Sequence, residues 1–153
     1  PALGRFVAAA EAAGRRPVLL PVGRHGSAPE RLAAWCRPYP GLALVETGEA
    51  PGDRLSGALN ALHCALAVTP WELAGKSSAI AALLEHGVPT LCTWGDARLE
   101  SGVPEDRRAL LLPPDSPVAP LLGRPAGSGP WRPLAPAVAT ALLQPLADRR
   151  GGG

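Results

Sequence analysis

The residues with the clearest capacity for chemistry form one short cluster, Gly75-Lys76-Ser77-Ser78, shortly after the apolar segment 65–70. Lys76 is the only lysine in the chain, and two hydroxyl side chains follow it directly. The pattern predicts a buried strand, a short loop and then the start of a helix, with N–H groups from Gly75 to Ser78 pointing at one spot. Unpaired N–H groups and the helix dipole favour phosphate there, and a glycine allows close approach of an oxyanion. The cluster therefore predicts a phosphate or diphosphate site.

Alternating helical and strand-like segments must position this cluster. They predict an α/β fold, a Rossmann-like parallel sheet flanked by helices. The predicted strands are the apolar segments 17–23, 41–48, 65–70, 88–94 and 109–113. The predicted helices cover 6–14, 28–37, a segment capped by Asp53, and 75–87. Loops at the carboxyl ends of parallel strands bind ligands in such folds, and the cluster at 75–78 lies in one of these loops.

The Rossmann-like domain is predicted to occupy residues 1–112, after which the composition changes. Residues 113–133 are rich in Pro and Gly and are predicted to form a loop. A C-terminal helix is predicted at 134–148 and a disordered tail at 149–153. Because the first predicted element is a helix, we expect the domain to lack its first strand. An open sheet edge of this kind favours self-association of the chain.

Composition argues against several classes of protein. The formal net charge is only +2, which is too small for a binder of nucleic acid or of an anionic membrane. No apolar run reaches the ~18 residues of a membrane-spanning helix. Cys36, Cys64 and Cys92 are odd in number and lie in apolar stretches. They are therefore predicted to be core residues of a protein in a reducing compartment, the cytoplasm.

The segment 55–91 resembles the C-terminal domain of retaining GT-B glycosyltransferases. In that family a strand that ends near Ser or Thr and Pro is followed by a glutamate and, three residues later, by a glycine. A helix and a turn of the Ala-x-Gly-x-Pro-Val kind come next. The corresponding positions here are Glu72, Gly75 and the turn at 85–90, Glu-His-Gly-Val-Pro-Thr. The resemblance extends over residues 6–100.

The resemblance implies the C-terminal half of a GT-B glycosyltransferase, with a nucleoside-diphosphate sugar as donor substrate and no further cofactor. The resemblance implies Glu72, near the sugar, as a catalytic residue. Lys76 and Ser77 stand where the family pattern has apolar residues, and Lys76 is expected to be a second catalytic residue that supplies charge at the diphosphate. Further donor contacts are implied for Gly75, Ser77, Ser78, Glu49, Leu55, Ser56, Arg24 and His25. The acceptor is expected to be held by an N-terminal domain outside these residues, so that the chain alone is inactive.

Some positions depart from the family pattern. Many relatives carry a second glutamate eight residues after the first, where this chain has Ile80. The chain has no Asp-x-Asp pair for a divalent ion, so we expect transfer to be independent of metal.

Two alternatives stay open. Gly75-Lys76-Ser77 also ends the P-loop motif, although Pro70 stands where that motif has its leading glycine. The second alternative is that the chain is a non-catalytic α/β interaction module.

Overall fold

A computed structural model describes residues 2–22, 29–46 and 52–123. The helices in this part of the chain are α1 (Ala2–Ala12), α2 (Pro29–Cys36), α3 (Gly52–Asn60), α4 (Ser78–Glu85), α5 (Glu105–Arg108) and α6 (Ala119–Leu122). The strands are β1 (Val18–Leu19), β2 (Ala43–Leu44), β3 (Ala65–Ala67), β4 (Thr90–Cys92) and β5 (Leu111–Leu112). A 3-10 helix, Trp71–Lys76, precedes α4. None of the described helices is long and apolar enough to cross a membrane.

All strand pairs in these ranges are parallel, which confirms the predicted α/β class. One sheet consists of β1 and β2, and the other has the order β3-β4-β5. Leu66 lies opposite Leu91, and Leu91 lies opposite Leu112. Parallel neighbours need a crossover connection, and α2, α4 and α5 lie in the connections between the paired strands.

The core lies on both faces of the three-stranded sheet. Successive residues of a strand point to opposite faces, and β4 shows this clearly. Cys92 lies in a cluster with residues of α4, among them Ile80 and Leu84. Leu91 lies in a second cluster with residues of α1 and α6. The sheet is therefore a central layer between two helical layers.

Helix α1 packs onto this sheet although it lies far away in sequence. Its buried residues recur at helical spacing and form one apolar stripe: Leu3, Val7 and Ala10. The guanidinium of Arg5 donates to the carbonyl oxygens of Ser116, at 3.0 Å, and of Pro114. Arg15, just after the helix, donates to the carbonyl of Leu122. Apolar packing and arginine hydrogen bonds thus fix α1 against the region around α6.

Several predicted boundaries are wrong. The first helix begins at Ala2, not at residue 6. Asp53 lies inside α3, which begins at Gly52, so it is not the helix cap. Helix α2 ends at Cys36, one residue before its predicted end. Residues 119–122 form α6 within a segment predicted to be a loop. The predictions for 134–148 and 149–153 lie outside the described residues.

Candidate functional site

The loop after β3 is a packed connection that sets the start of α4. Pro70 has extended backbone angles and introduces the 3-10 helix. Trp71 is buried in the core below the sheet edge. Its indole Nε1 donates to the carbonyl of Leu99 at 2.7 Å. These contacts hold the 3-10 helix in place, so that α4 starts at the carboxyl edge of β3.

Ser77 is the N-cap of α4. Its hydroxyl oxygen accepts from the N–H of Ile80 at 3.3 Å, which is the usual role of a serine at this position. The hydroxyl of Thr69, just beyond the end of β3, donates to the same oxygen at 3.2 Å. The end of the strand and the first turn of the helix are therefore directly connected.

The helix begins three residues later than predicted, and this changes which N–H groups are free. The N–H of Gly75 donates to the carbonyl of Ser101 at 2.8 Å, and that of Ser77 to the carbonyl of Ala74 at 3.1 Å. The expectation that four N–H groups from Gly75 to Ser78 converge on one ligand is therefore wrong. Ser78 and Ala79 directly follow the N-cap Ser77, so their N–H groups lie in the first turn of α4, where the helix itself offers no acceptor.

Packing explains the glycine at position 75. A Cβ there would lie 2.2 Å from the carbonyl oxygen of Gly102. Gly102 itself has a φ of +67°, in the region that glycine adopts most readily. The two loops thus touch through their backbones at this pair, and Gly75 is required for that contact rather than for the approach of an oxyanion.

The side chains at the start of α4 are open to solvent. Lys76 and Ser78 are both exposed, and none of the ion pairs found among the described residues includes Lys76. The arrangement brings together one ammonium group, one hydroxyl, two N–H groups and the positive end of a helix. Its chemistry suits an anion.

Glu72 has a structural contact in this site. Its Oε2 accepts from the N–H of Asp96 at 3.1 Å. Gly95, between β4 and Asp96, has a φ of +119°, and a Cβ there would lie 2.6 Å from the same oxygen. Glu72 therefore holds the loop that follows β4. Burial, together with the charge of Glu72, raises the pKa of the Cys92 thiol to about 11.

The structure does not bring Ser56 to the start of α4. Its Oγ lies 2.8 Å from Nε2 of His86, and Nδ1 of His86 lies 2.7 Å from the carbonyl of Ala82. Because a carbonyl only accepts, Nδ1 carries a proton, and in the neutral imidazole Nε2 then accepts from the hydroxyl of Ser56. His86 caps the far end of α4, roughly 14 Å along the helix from Ser77. Ser56 thus connects α3 to α4.

Of the other predicted donor contacts, one lies among the described residues and three do not. Leu55 lies in α3 and is half-buried. Arg24, His25 and Glu49 lie outside the described residues.

Burial raises the pKa of the Cys64 thiol to about 11, so this thiol stays protonated at neutral pH. Across 2–22, 29–46 and 52–123, His, Cys, Asp and Glu form no group of three or more that could hold a metal ion.

Trp94 is a site feature that sequence reasoning missed. It follows β4, and its side chain is 56% exposed although its indole Nε1 donates to the carbonyl of Val68 at 2.7 Å. The signal that could have found it is a tryptophan at the end of the apolar segment 88–94, because such a residue lies at the same sheet edge as the start of α4.

Comparison of the chain with protein families, curated proteins and solved structures gave no match.

Proposed function

We propose that the chain is the nucleotide-sugar-binding part of a GT-B glycosyltransferase, and that the start of α4 binds the diphosphate of the donor. The observation that carries the proposal is the placement of Lys76 beside the first-turn N–H groups of Ser78 and Ala79. This group lies at the carboxyl edge of a parallel sheet, where α/β folds bind ligands. The resemblance of residues 55–91 to the family supplies the kind of ligand.

The proposed chemistry is stabilisation of a leaving group. When the glycosidic bond to the diphosphate breaks, the departing nucleoside diphosphate gains negative charge. Preorganised N–H groups and the ammonium of Lys76 stabilise that charge without a metal ion. Loss of one such donor raises the barrier by roughly 3–4 kcal/mol. Glu72 contributes by holding the loop after β4 against this edge.

The geometry of residues 70–76 gives less support to a P-loop. A P-loop wraps phosphates with free backbone N–H groups. Here Trp71–Lys76 is a 3-10 helix. Within it Trp71 is buried, and the N–H of Gly75 is used by the carbonyl of Ser101. The free groups lie one turn later, in α4 itself.

The test is calorimetric titration of the chain with UDP, GDP and ATP, with and without magnesium. We expect UDP or GDP to bind without magnesium, and Lys76→Ala to weaken that binding roughly 10- to 100-fold, because charge-assisted contacts are strong. The matched control is Arg16→Ala, which removes an exposed cation before β1. Equal affinity of Lys76→Ala and the parent chain would exclude the phosphate role, and magnesium-dependent binding of ATP would favour a P-loop.

A further inference from the structure

Trp94 is an exposed aromatic side chain at the carboxyl edge of the three-stranded sheet. Its neighbour Val68 is 73% exposed, so the two side chains leave apolar surface in contact with water. Removal of such surface from water by a bound ligand is favourable. Trp71, from the adjoining loop, shows the contrast, because it is buried in the core.

Two hydrogen bonds hold the ring and the backbone of Trp94, and a third holds the loop that follows it. Its Nε1 donates to the carbonyl of Val68 at 2.7 Å. Its carbonyl accepts from the N–H of Trp71 at 3.1 Å. Two residues later, the N–H of Asp96 donates to Glu72 at 3.1 Å. The indole is therefore both exposed and held in place, which lowers the entropy cost of stacking a ligand on it.

The indole and the start of α4 lie on either side of one short segment. Val68 contacts the Trp94 ring, and the next residue, Thr69, donates to Ser77 at the helix cap. A ligand that binds by a diphosphate at Ser78 and Ala79 therefore has its attached ring within reach of the indole face. Flat rings, whether a nucleobase or a sugar with an apolar face, stack on such a surface.

We propose that Trp94 is the stacking residue for the ring that the diphosphate carries, an inference that rests on the proposed function. The indole face contacts the nucleobase or the hexose ring of the donor, while Lys76 and the start of α4 bind the phosphates. Removal of the ring then weakens binding of the complete ligand and leaves binding of the phosphates alone unchanged.

The test compares three probes, UDP-glucose, UDP and inorganic pyrophosphate, by calorimetric titration. The variants are Trp94→Ala, Trp94→Phe, which keeps a ring, and Trp35→Ala, which removes a half-exposed tryptophan from α2. We expect Trp94→Ala to weaken UDP-glucose roughly 5- to 100-fold and pyrophosphate less than about twofold. Trp94→Phe is expected to retain most of the affinity, and Trp35→Ala all of it.

Each result has a distinct meaning. If UDP weakens as much as UDP-glucose, the base stacks on Trp94, and if UDP is unchanged, the sugar does; both outcomes support the inference. Equal weakening of pyrophosphate, or no weakening of any probe, overturns it. Failure of the proposed function looks different, because the parent chain then binds none of the probes or Lys76→Ala has no effect. Thermal unfolding of each variant confirms that the fold is retained.

Discussion

The two sheets of this molecule have similar apolar strands but differ in burial. In β4, Thr90, Leu91 and Cys92 are all fully buried. In the two-stranded sheet, Val18 is 50% exposed, and Val45, which follows β2, is 47% exposed. Helices cover both faces of β4, and parallel strands are buried only where this happens. Burial of a strand is therefore set by the helices around it, and the candidate site lies beside the sheet that has them.

The largest expected effect comes from a test of this contrast in which one leucine of each sheet is replaced by alanine. Leu91→Ala leaves a cavity between α1, α6 and the sheet and is expected to lower the free energy of unfolding by about 2–5 kcal/mol. Leu44→Ala in β2 removes a half-exposed side chain and is expected to lower it by about 1 kcal/mol. Urea unfolding followed by circular dichroism measures both. Equal losses would show that the two sheets are equally well packed.

A second test concerns the contact between Gly75 and Gly102. Gly75→Ala forces two backbone segments apart and is expected to lower the free energy of unfolding by about 1–3 kcal/mol. The control is Gly57→Ala in α3, where a Cβ meets open space. Alanine there is expected to raise stability by about 0.5–1 kcal/mol, since glycine is unfavourable in a helix. A neutral Gly75→Ala would contradict the packing explanation of this glycine.

The smallest expected effect separates a structural serine from a binding serine. Ser56→Ala removes the hydrogen bond to His86 and is expected to lower the free energy of unfolding by about 1 kcal/mol, with no change in the affinity for UDP. Ser78 is exposed at the start of α4. Ser78→Ala is therefore expected to show the reverse, a lower affinity for UDP with an unchanged free energy of unfolding. Thermal unfolding and calorimetric titration of both variants decide the matter. Weaker UDP binding by Ser56→Ala would return this residue to the site.

Local signals in the sequence were enough for much of the fold. Helices α1 and α4 end at Ala12 and Glu85, each two residues before the glycine at which the predicted helix ends. Those glycines, Gly14 and Gly87, have φ values of 65° and 68°. The five predicted strands are all present, although each is shorter than its apolar segment. Glycine stops and apolar runs are local features, and a single sequence displays them directly.

The detail of the candidate site depends on long-range contacts that a sequence does not display. The N–H of Gly75 donates to the carbonyl of Ser101, and α4 begins at Ser78 and not at Gly75. In the same way, the Ser56 hydroxyl is engaged by His86, 30 residues further along the chain. Residue types predicted a cluster suited to an anion. Tertiary packing decides which of its N–H groups are already used within the fold. Arg24, His25 and Glu49 stay predictions.

The position of α1 has a consequence for synthesis of the chain. This helix leaves the ribosome before α6, and its packing partners in α6 lie more than a hundred residues further along the chain. At a translation rate of roughly 5–20 residues per second, about 5–20 s pass before those partners exist. During that time the apolar stripe formed by Leu3, Val7 and Ala10 lacks the cover that α6 gives it in the folded chain.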